Sequence, residues 1–247
     1  MKVDPEEKKE LLDPRSRPPV QLGSENQSTN PRMDGSSAEV AMVKRAKTVL
    51  TVAAISGSLR RASANAGLIR ASAKMCEESI PGLQIDHVDI SHLPLLNTDL
   101  ENVDGKAFPA AVEDFRDRVR GADCFLFASP EYNYSISGPL KNALDWGSRP
   151  PNVWAERAGA IVSASGKSGG KRSAYHIRQV GVFLDIHFIN KPEGFVSANH
   201  PQSKFDDHGN LVDPETGELL RKVLLSLQAF ALRLLHGNSA ANSGQGS

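Results

Sequence analysis

Serine hydroxyls, an amide and an arginine crowd one short stretch, Ser56-Gly57-Ser58-Leu59-Arg60-Arg61-Ala62-Ser63-Ala64-Asn65, directly after the apolar run Val49–Ile55. Between a strand and a helix, such a stretch can hold a phosphate monoester without a metal. Its backbone N–H groups and the positive end of the helix dipole would face the anion. Arg60 adds a forked, charge-assisted contact, and Ser58, Ser63 and Asn65 bring further donors. Neither GxGxxG nor GxxxxGK[ST] occurs here, so the indicated ligand is the single phosphate of a mononucleotide. The same residue types also build a plain turn with Ser63 or Asn65 as helix cap.

Two further segments bear on that choice. Ser129-Pro130-Glu131-Tyr132-Asn133-Tyr134-Ser135-Ile136-Ser137-Gly138-Pro139 combines aromatic rings and amides with two stiffening prolines. A flat heteroaromatic ligand needs such a surface, apolar for its faces and polar for its edges. A rigid turn packing tyrosine over a sheet edge is the alternative. Ser163-Ala164-Ser165-Gly166-Lys167-Ser168-Gly169-Gly170-Lys171-Arg172 is glycine-rich; its backbone can approach a ligand closely and present N–H groups. By itself it also reads as ordinary loop.

The elements that must position these loops alternate along the chain. Strands are expected at Thr48–Ile55, Leu83–Ile90, Asp123–Ser129, Ala158–Ala164 and His187–Val196. Asp123–Ser129 is apolar almost throughout, as a strand covered on both faces should be. Helices are expected at Asn65–Ser79, Pro109–Gly121, Gly138–Trp146, Arg172–Phe183 and Thr216–Leu235. In the last of these Leu220, Val223, Leu224, Leu227, Phe230 and Leu234 form a core-facing stripe. Five strands alternating with helices predict a doubly wound α/β fold, a three-layer sandwich around a five-stranded parallel sheet. Ligands of such sheets bind at the carboxyl ends of the strands, where the strand order reverses. The loops after strands one, three and four are the three described above.

Composition narrows the function classes. Lys and Arg number 29 and Asp and Glu number 29, leaving no net charge and no electrostatic footprint for nucleic acid. No apolar run approaches a membrane span, and the acidic start lacks the apolar segment of a secretory signal. Two cysteines, Cys76 and Cys124, stand far apart with no metal-binding spacing, and the histidines form no metal constellation. A cytoplasmic protein is expected. Residues 1–47 are poor in large apolar side chains and are expected to be a disordered extension; 48–236 form the domain and 237–247 a flexible tail. Lys141 and Asp145, four apart on a helix, read as a structural ion pair, Trp146 as packing, and His176 as a surface residue rather than a catalyst.

Gly57-Ser58-Leu59-Arg60 with Ser63 and Asn65, then Ser129-Pro130-Glu131-Tyr132-Asn133, then Pro139–Trp146 and Ser148-Arg149-Pro150-Pro151, resemble the NADPH-dependent FMN reductase family of flavodoxin-like proteins. Within it the likeness is nearest to the NAD(P)H:quinone oxidoreductases, and it runs from about Lys47 to Leu235. The resemblance implies FMN, its phosphate on Ser58, Arg60, Ser63 and Asn65. The isoalloxazine would lie against Pro130, Glu131, Tyr132 and Asn133, with Ser165, Gly166 and Gly169 closing over it. It further implies two-electron, ping-pong transfer from NADPH or NADH to a quinone, no catalytic side chain, and a homodimer or homotetramer. Ala62, Lys167 and Ser168 depart from the family's more glycine-rich pattern. The alternatives are a flavodoxin-like one-electron carrier, for which the balanced charge is wrong, an FMN or azo-dye reductase, and a nucleotide-sensing binding module.

Overall fold

The computed structural model describes residues 49–102, 107–199 and 201–243, with side chains to 236. The expected extension at 1–47 and the last four residues lie outside the described residues. The elements run β1 (Leu50–Ser56), α1 (Ala64–Ser79), β2 (Leu83–His87), a single 3-10 turn (Thr98–Leu100), α2 (Ala110–Arg120), β3 (Cys124–Ala128), α3 (Gly138–Ser148), β4 (Arg157–Ser165), α4 (Lys171–Leu184), β5 (Ile186–Phe188), β6 (Gly194–Ser197) and α5 (Pro214–Ser243).

The strands are parallel in the order β2-β1-β3-β4-β5. Val52 faces Cys124 and Cys124 faces Ala158 across the central pairs. Strand β1 alternates its apolar side chains between two cores, because successive residues of a strand point to opposite faces. Leu50, Val52 and Ala54 pack with Leu68 and Ile69 of α1 and with Leu220, Val223, Leu224 and Leu227 of α5. Ala53 and Ile55 pack with Val112 and Phe115 of α2, Leu140 and Trp146 of α3 and Ile177 of α4. Both faces are therefore covered, and the chain forms the expected flavodoxin-like three-layer sandwich.

The expected fifth strand is divided. Strand β5 pairs with the first residues of β4 and β6 with its last four, Val162–Ser165. Pro192 lies between them and has no N–H to donate to a ladder, which breaks the strand there. Strand β2 stops at His87, short of the expected Ile90, although Val88 still donates its N–H to the Ala54 carbonyl at 2.9 Å. Helix α5 runs on to Ser243, past the expected stop at Leu235.

Arg116 of α2 is wholly buried, an outcome its sequence position did not signal. Its guanidinium donates to the carbonyls of Trp146, Arg149 and Pro151 at 2.8–2.9 Å and lies 4.3 Å from the Phe108 ring centre. These carbonyls lie at and beyond the end of α3, where helical partners run out. Arg116 thereby fixes the chain that leaves α3, and its bulk fills the second core.

Candidate functional site

Reversal of strand order between β1 and β3 opens a crevice at their carboxyl ends. The β1–α1 loop enters it through Gly57, whose N–H donates to the Ala128 carbonyl at 2.8 Å and whose carbonyl accepts from the Ser137 hydroxyl at 2.7 Å. A Cβ at Gly57 would stand 2.7 Å from Ser137 Oγ, so only glycine fits between the two loops. Beyond it Ser56 and Ser58 trade backbone and hydroxyl hydrogen bonds, and the Arg60 N–H reaches Ser58 Oγ at 3.4 Å. Ser63 caps α1 by accepting from the Ala66 N–H at 3.3 Å.

Among the described residues, the N–H groups of Leu59, Arg61, Ala62 and Asn65 meet no acceptor, and the exposed Arg60 guanidinium has no ion-pair partner. Unspent donors, one cation and the positive end of a sixteen-residue helix make a site for a phosphate monoester. They suit the phosphate of the FMN that the resemblance implies. A cavity of about 280 Å³ opens beside this loop, lined by Arg60, Ala62 and Ala64 on one wall and Asn199, Ser203 and Asp207 on the other.

After β3 the chain makes a tight reversal at Tyr132–Ser135, closed by two backbone hydrogen bonds of 3.1 and 3.0 Å. Asn133 and Tyr134 both take positive φ, 49° and 67°, which lifts Tyr132 and Tyr134 out as exposed rings. The turn is fastened to the loop after β4. Glu131 N–H donates to Ser165 Oγ at 3.4 Å, and the Glu131 carboxylate accepts from Arg172 Nη1 at 2.9 Å, Arg172 N at 3.0 Å and Ser168 Oγ at 3.3 Å. Burial alone would raise this carboxyl, but the Arg172 hydrogen bonds and charge hold it below the usual glutamate range. Arg172 also stacks on the Tyr134 ring at 4.1 Å, and His176 Nδ1 lies 2.8 Å from Ser135 Oγ. A Cβ at Gly166 would meet nothing within 4 Å, so the rim there is open.

Beneath the loops lies a floor of buried serines. Ser163 Oγ donates to the Ser129 carbonyl at 2.5 Å, and Ser129 Oγ lies 3.0 Å from Ser173 Oγ. With Ser137 on Gly57, these neutral hydroxyls join β3, β4, α3 and α4 at the crevice.

The residues expected to touch a ligand thus divide. Ser58, Arg60, Tyr132, Asn133, Ser165 and Gly166 lie on the rim of the crevice, at least partly exposed, and Pro130 forms its buried base. Three of the expected residues make contacts within the protein that bear on what each can offer a ligand. The Asn65 side chain is turned inward, its amide donating to the Ala164 carbonyl and accepting the Ala164 N–H, both at 2.9 Å; it ties α1 to β4, which leaves the backbone N–H as the group Asn65 can offer a phosphate. The Glu131 carboxylate is committed to Arg172 and Ser168, leaving only its backbone for a ligand. Gly169, at φ 63°, has Phe195 and Val196 of β6 on the side a Cβ would occupy, and its N–H donates to the Gly166 carbonyl at 3.0 Å. Ser63, also buried, contributes as the helix cap. Arg172 and the floor serines were not singled out, and Ser168 only as a departure from the family's pattern; Arg172 carries a signal only as a cation at a helix start, where an acidic residue is the favoured choice.

Lys141 and Asp145 form the expected pair at 2.7 Å, and Trp146 packs in the second core with its indole N–H on the Pro94 carbonyl at 2.8 Å. The two cysteines are buried free thiols. No described helix is long and apolar enough to cross a membrane.

Residues 50–201 match the family described as NADPH-dependent FMN reductase. The chain is 77% identical over 185 residues to the probable NADPH:quinone oxidoreductase 2 of Oryza sativa subsp. japonica, spanning 75% of this chain and 90% of that one. It is 61% identical over 188 residues to the NADPH:quinone oxidoreductase of Arabidopsis thaliana, spanning 76% and 95%. Among solved structures it is similar to the flavoenzyme NAD(P)H:(acceptor) oxidoreductase FerB of Paracoccus denitrificans. The TM-score is 0.60 at 28% identity, over 76% of this chain and 96% of that one.

Proposed function

This chain belongs to the NADPH-dependent FMN reductase family, and from that membership we propose that it is an FMN-dependent NAD(P)H:quinone oxidoreductase. The observation that carries the reading is the crevice itself, a loop of unspent N–H donors joined by hydrogen bonds to an aromatic turn with an open rim. The named relatives, up to 77% identical, support the quinone as acceptor.

FMN, when bound, would supply the two-electron redox chemistry. The chain's part is binding and orientation. Arg60, Ser58 and the free N–H groups hold the phosphate. Pro130, Tyr132 and Asn133 line the ring, and Ser165 with Gly166 forms the opposite rim. The Glu131–Arg172 pair keeps the two ring-side loops at a fixed separation. NAD(P)H and the quinone use one open face in turn, which makes the kinetics ping-pong. No side chain here is assigned as a general base.

Two buried free thiols support a reducing, cytoplasmic setting. A homo-oligomer is supported by an apolar stripe on α4. Tyr175, Val182 and Phe183 are 51%, 82% and 85% exposed there, and residues seven apart share a helix face. The deciding experiment is an anaerobic titration of the FMN-loaded protein with NADPH, followed by benzoquinone. Bleaching of the flavin by NADPH and its return on adding quinone is expected. FMN that stays oxidised under excess NADPH would overturn the reading.

A further inference from the structure

The phosphate loop and the helix that follows it are met by a part of the chain that lies 140 residues beyond Arg70. Between β6 and α5 the segment Asp206-Asp207-His208-Gly209-Asn210 forms a compact turn. The Asp206 carboxylate organises it, accepting the N–H groups of His208 at 2.9 Å and Asn210 at 2.8 Å and the Asn210 amide at 3.1 Å. Gly209, at φ 76°, is buried, and a Cβ there would stand 2.7 Å from the Ala62 carbonyl carbon and oxygen. Its own carbonyl occupies the place of a side chain on Gly67, where a Cβ would come within 1.8 Å of it. Arg70, one turn further along α1, straps the turn down: Nε donates to Asn210 Oδ1 at 2.9 Å and Nη2 to the His208 carbonyl at 3.2 Å.

The front of the loop has few bonds of its own. Residues 61 and 62 form a single turn, and besides it 59–62 make, among the described residues, one hydrogen bond, from the Arg60 N–H to Ser58 Oγ. A segment packed on Ala62 and Ser63 is therefore placed to fix the loop backbone before a ligand arrives. We propose that the Asp206–Asn210 turn, strapped by Arg70, is a wedge that pre-organises the phosphate loop, so that Arg70 and Asp206 set this protein's preference for a flavin carrying a 5′-phosphate over one without it. Neither residue touches the phosphate in this scheme; both are positioning residues. The wedge bears on Ala62 and the start of α1 and on no part of the aromatic turn. Its loss should then weaken the phosphate end of the ligand alone, because pre-organisation matters only to the contacts it prepares.

The inference rests on the reading that FMN phosphate binds the β1–α1 loop. The test is fluorescence titration of the flavin-free full-length chain with FMN and, separately, with riboflavin, for the native sequence, Arg70→Ala and Asp206→Ala. We expect the variants to bind FMN about tenfold more weakly, with riboflavin affinity held within about twofold. A purely structural role would weaken both flavins alike. If the native chain prefers FMN and the variants keep that preference, or lose both flavins equally, the wedge is overturned and the binding reading stands. If the native chain itself fails to distinguish FMN from riboflavin, the binding reading fails and the wedge with it. Should Asp206→Ala not fold, Arg70→Ala, exposed on the surface of α1, decides the matter alone.

Discussion

Glu131 shows how one side chain can leave the ligand and still govern the site. Its carboxylate meets three donors from α4 and the loop before it, and it is held ionised below the ordinary glutamate value of 4.5 by Arg172 against the opposing effect of burial. A carboxyl whose folded value is depressed adds stability that is fully present above its unfolded value. That stability drains away as the pH falls through the folded value. The native protein should therefore exceed Glu131→Gln in urea midpoint at about pH 7, and the gap should close towards about pH 3. A gap independent of pH would show that the carboxylate charge contributes nothing. At this scale the sequence made legible the turn itself, on which Ser58 is half-buried and Arg60 exposed. It was opaque where the partner is remote. Asn65 bonds to Ala164, 99 residues away, and a polar residue in a loop carries no mark of whether it faces the ligand or the scaffold.

Between elements, glycine decides how closely two pieces of chain may pass. Gly67 and Gly217 both lie in helices, where alanine ordinarily gains up to about 1 kcal/mol over glycine. A Cβ at Gly67 would strike the Gly209 carbonyl oxygen, a backbone atom that cannot swing aside. A Cβ at Gly217 would meet only Met75 Cε at 3.6 Å, an ordinary contact. The two substitutions should have opposite signs: Gly67→Ala destabilises by about 1–3 kcal/mol or more through overpacking, while Gly217→Ala stabilises by about 0.5–1 kcal/mol. Thermal midpoints of the two variants measure this directly, and equal shifts would refute the packing argument. Most elements could be read from periodicity, since each strand and helix carries its own apolar spacing. The break between β5 and β6 was foreshadowed only by Pro192, and the end of α5 by nothing local. The wedge at Asp206–Asn210 reads as a turn from its Asp, Gly and Asn, yet no local rule says which helix it will press.

For the molecule as a whole, the parallel sheet gathers every candidate ligand contact at one end. A parallel sheet was implied by alternating strands and helices; the order β2-β1-β3-β4, which sets the crevice, came from the structure. What the pattern could not express is the outer surface. Phe183 and Val182 are among the most exposed large apolar side chains described, at 85% and 82%, and apolar groups so placed commonly mark an association surface. Replacing Phe183 and Val182 by serine together should shift the mass in sedimentation equilibrium towards the monomer without changing the thermal midpoint of the fold. A mass unaffected by the pair would remove this stripe from any interface. One internal feature bears on how the crevice answers its contents. Its floor holds hydroxyls instead of ions, and between Ser129 and Ser173 either oxygen can be the donor. A hydroxyl hydrogen turns about its C–O bond while every heavy atom stays put. The Ser129 hydroxyl has two acceptors in reach, the Pro130 carbonyl at 2.9 Å and Ser173 at 3.0 Å, so at this one point of the floor a dipole can turn while the packed sheet remains still.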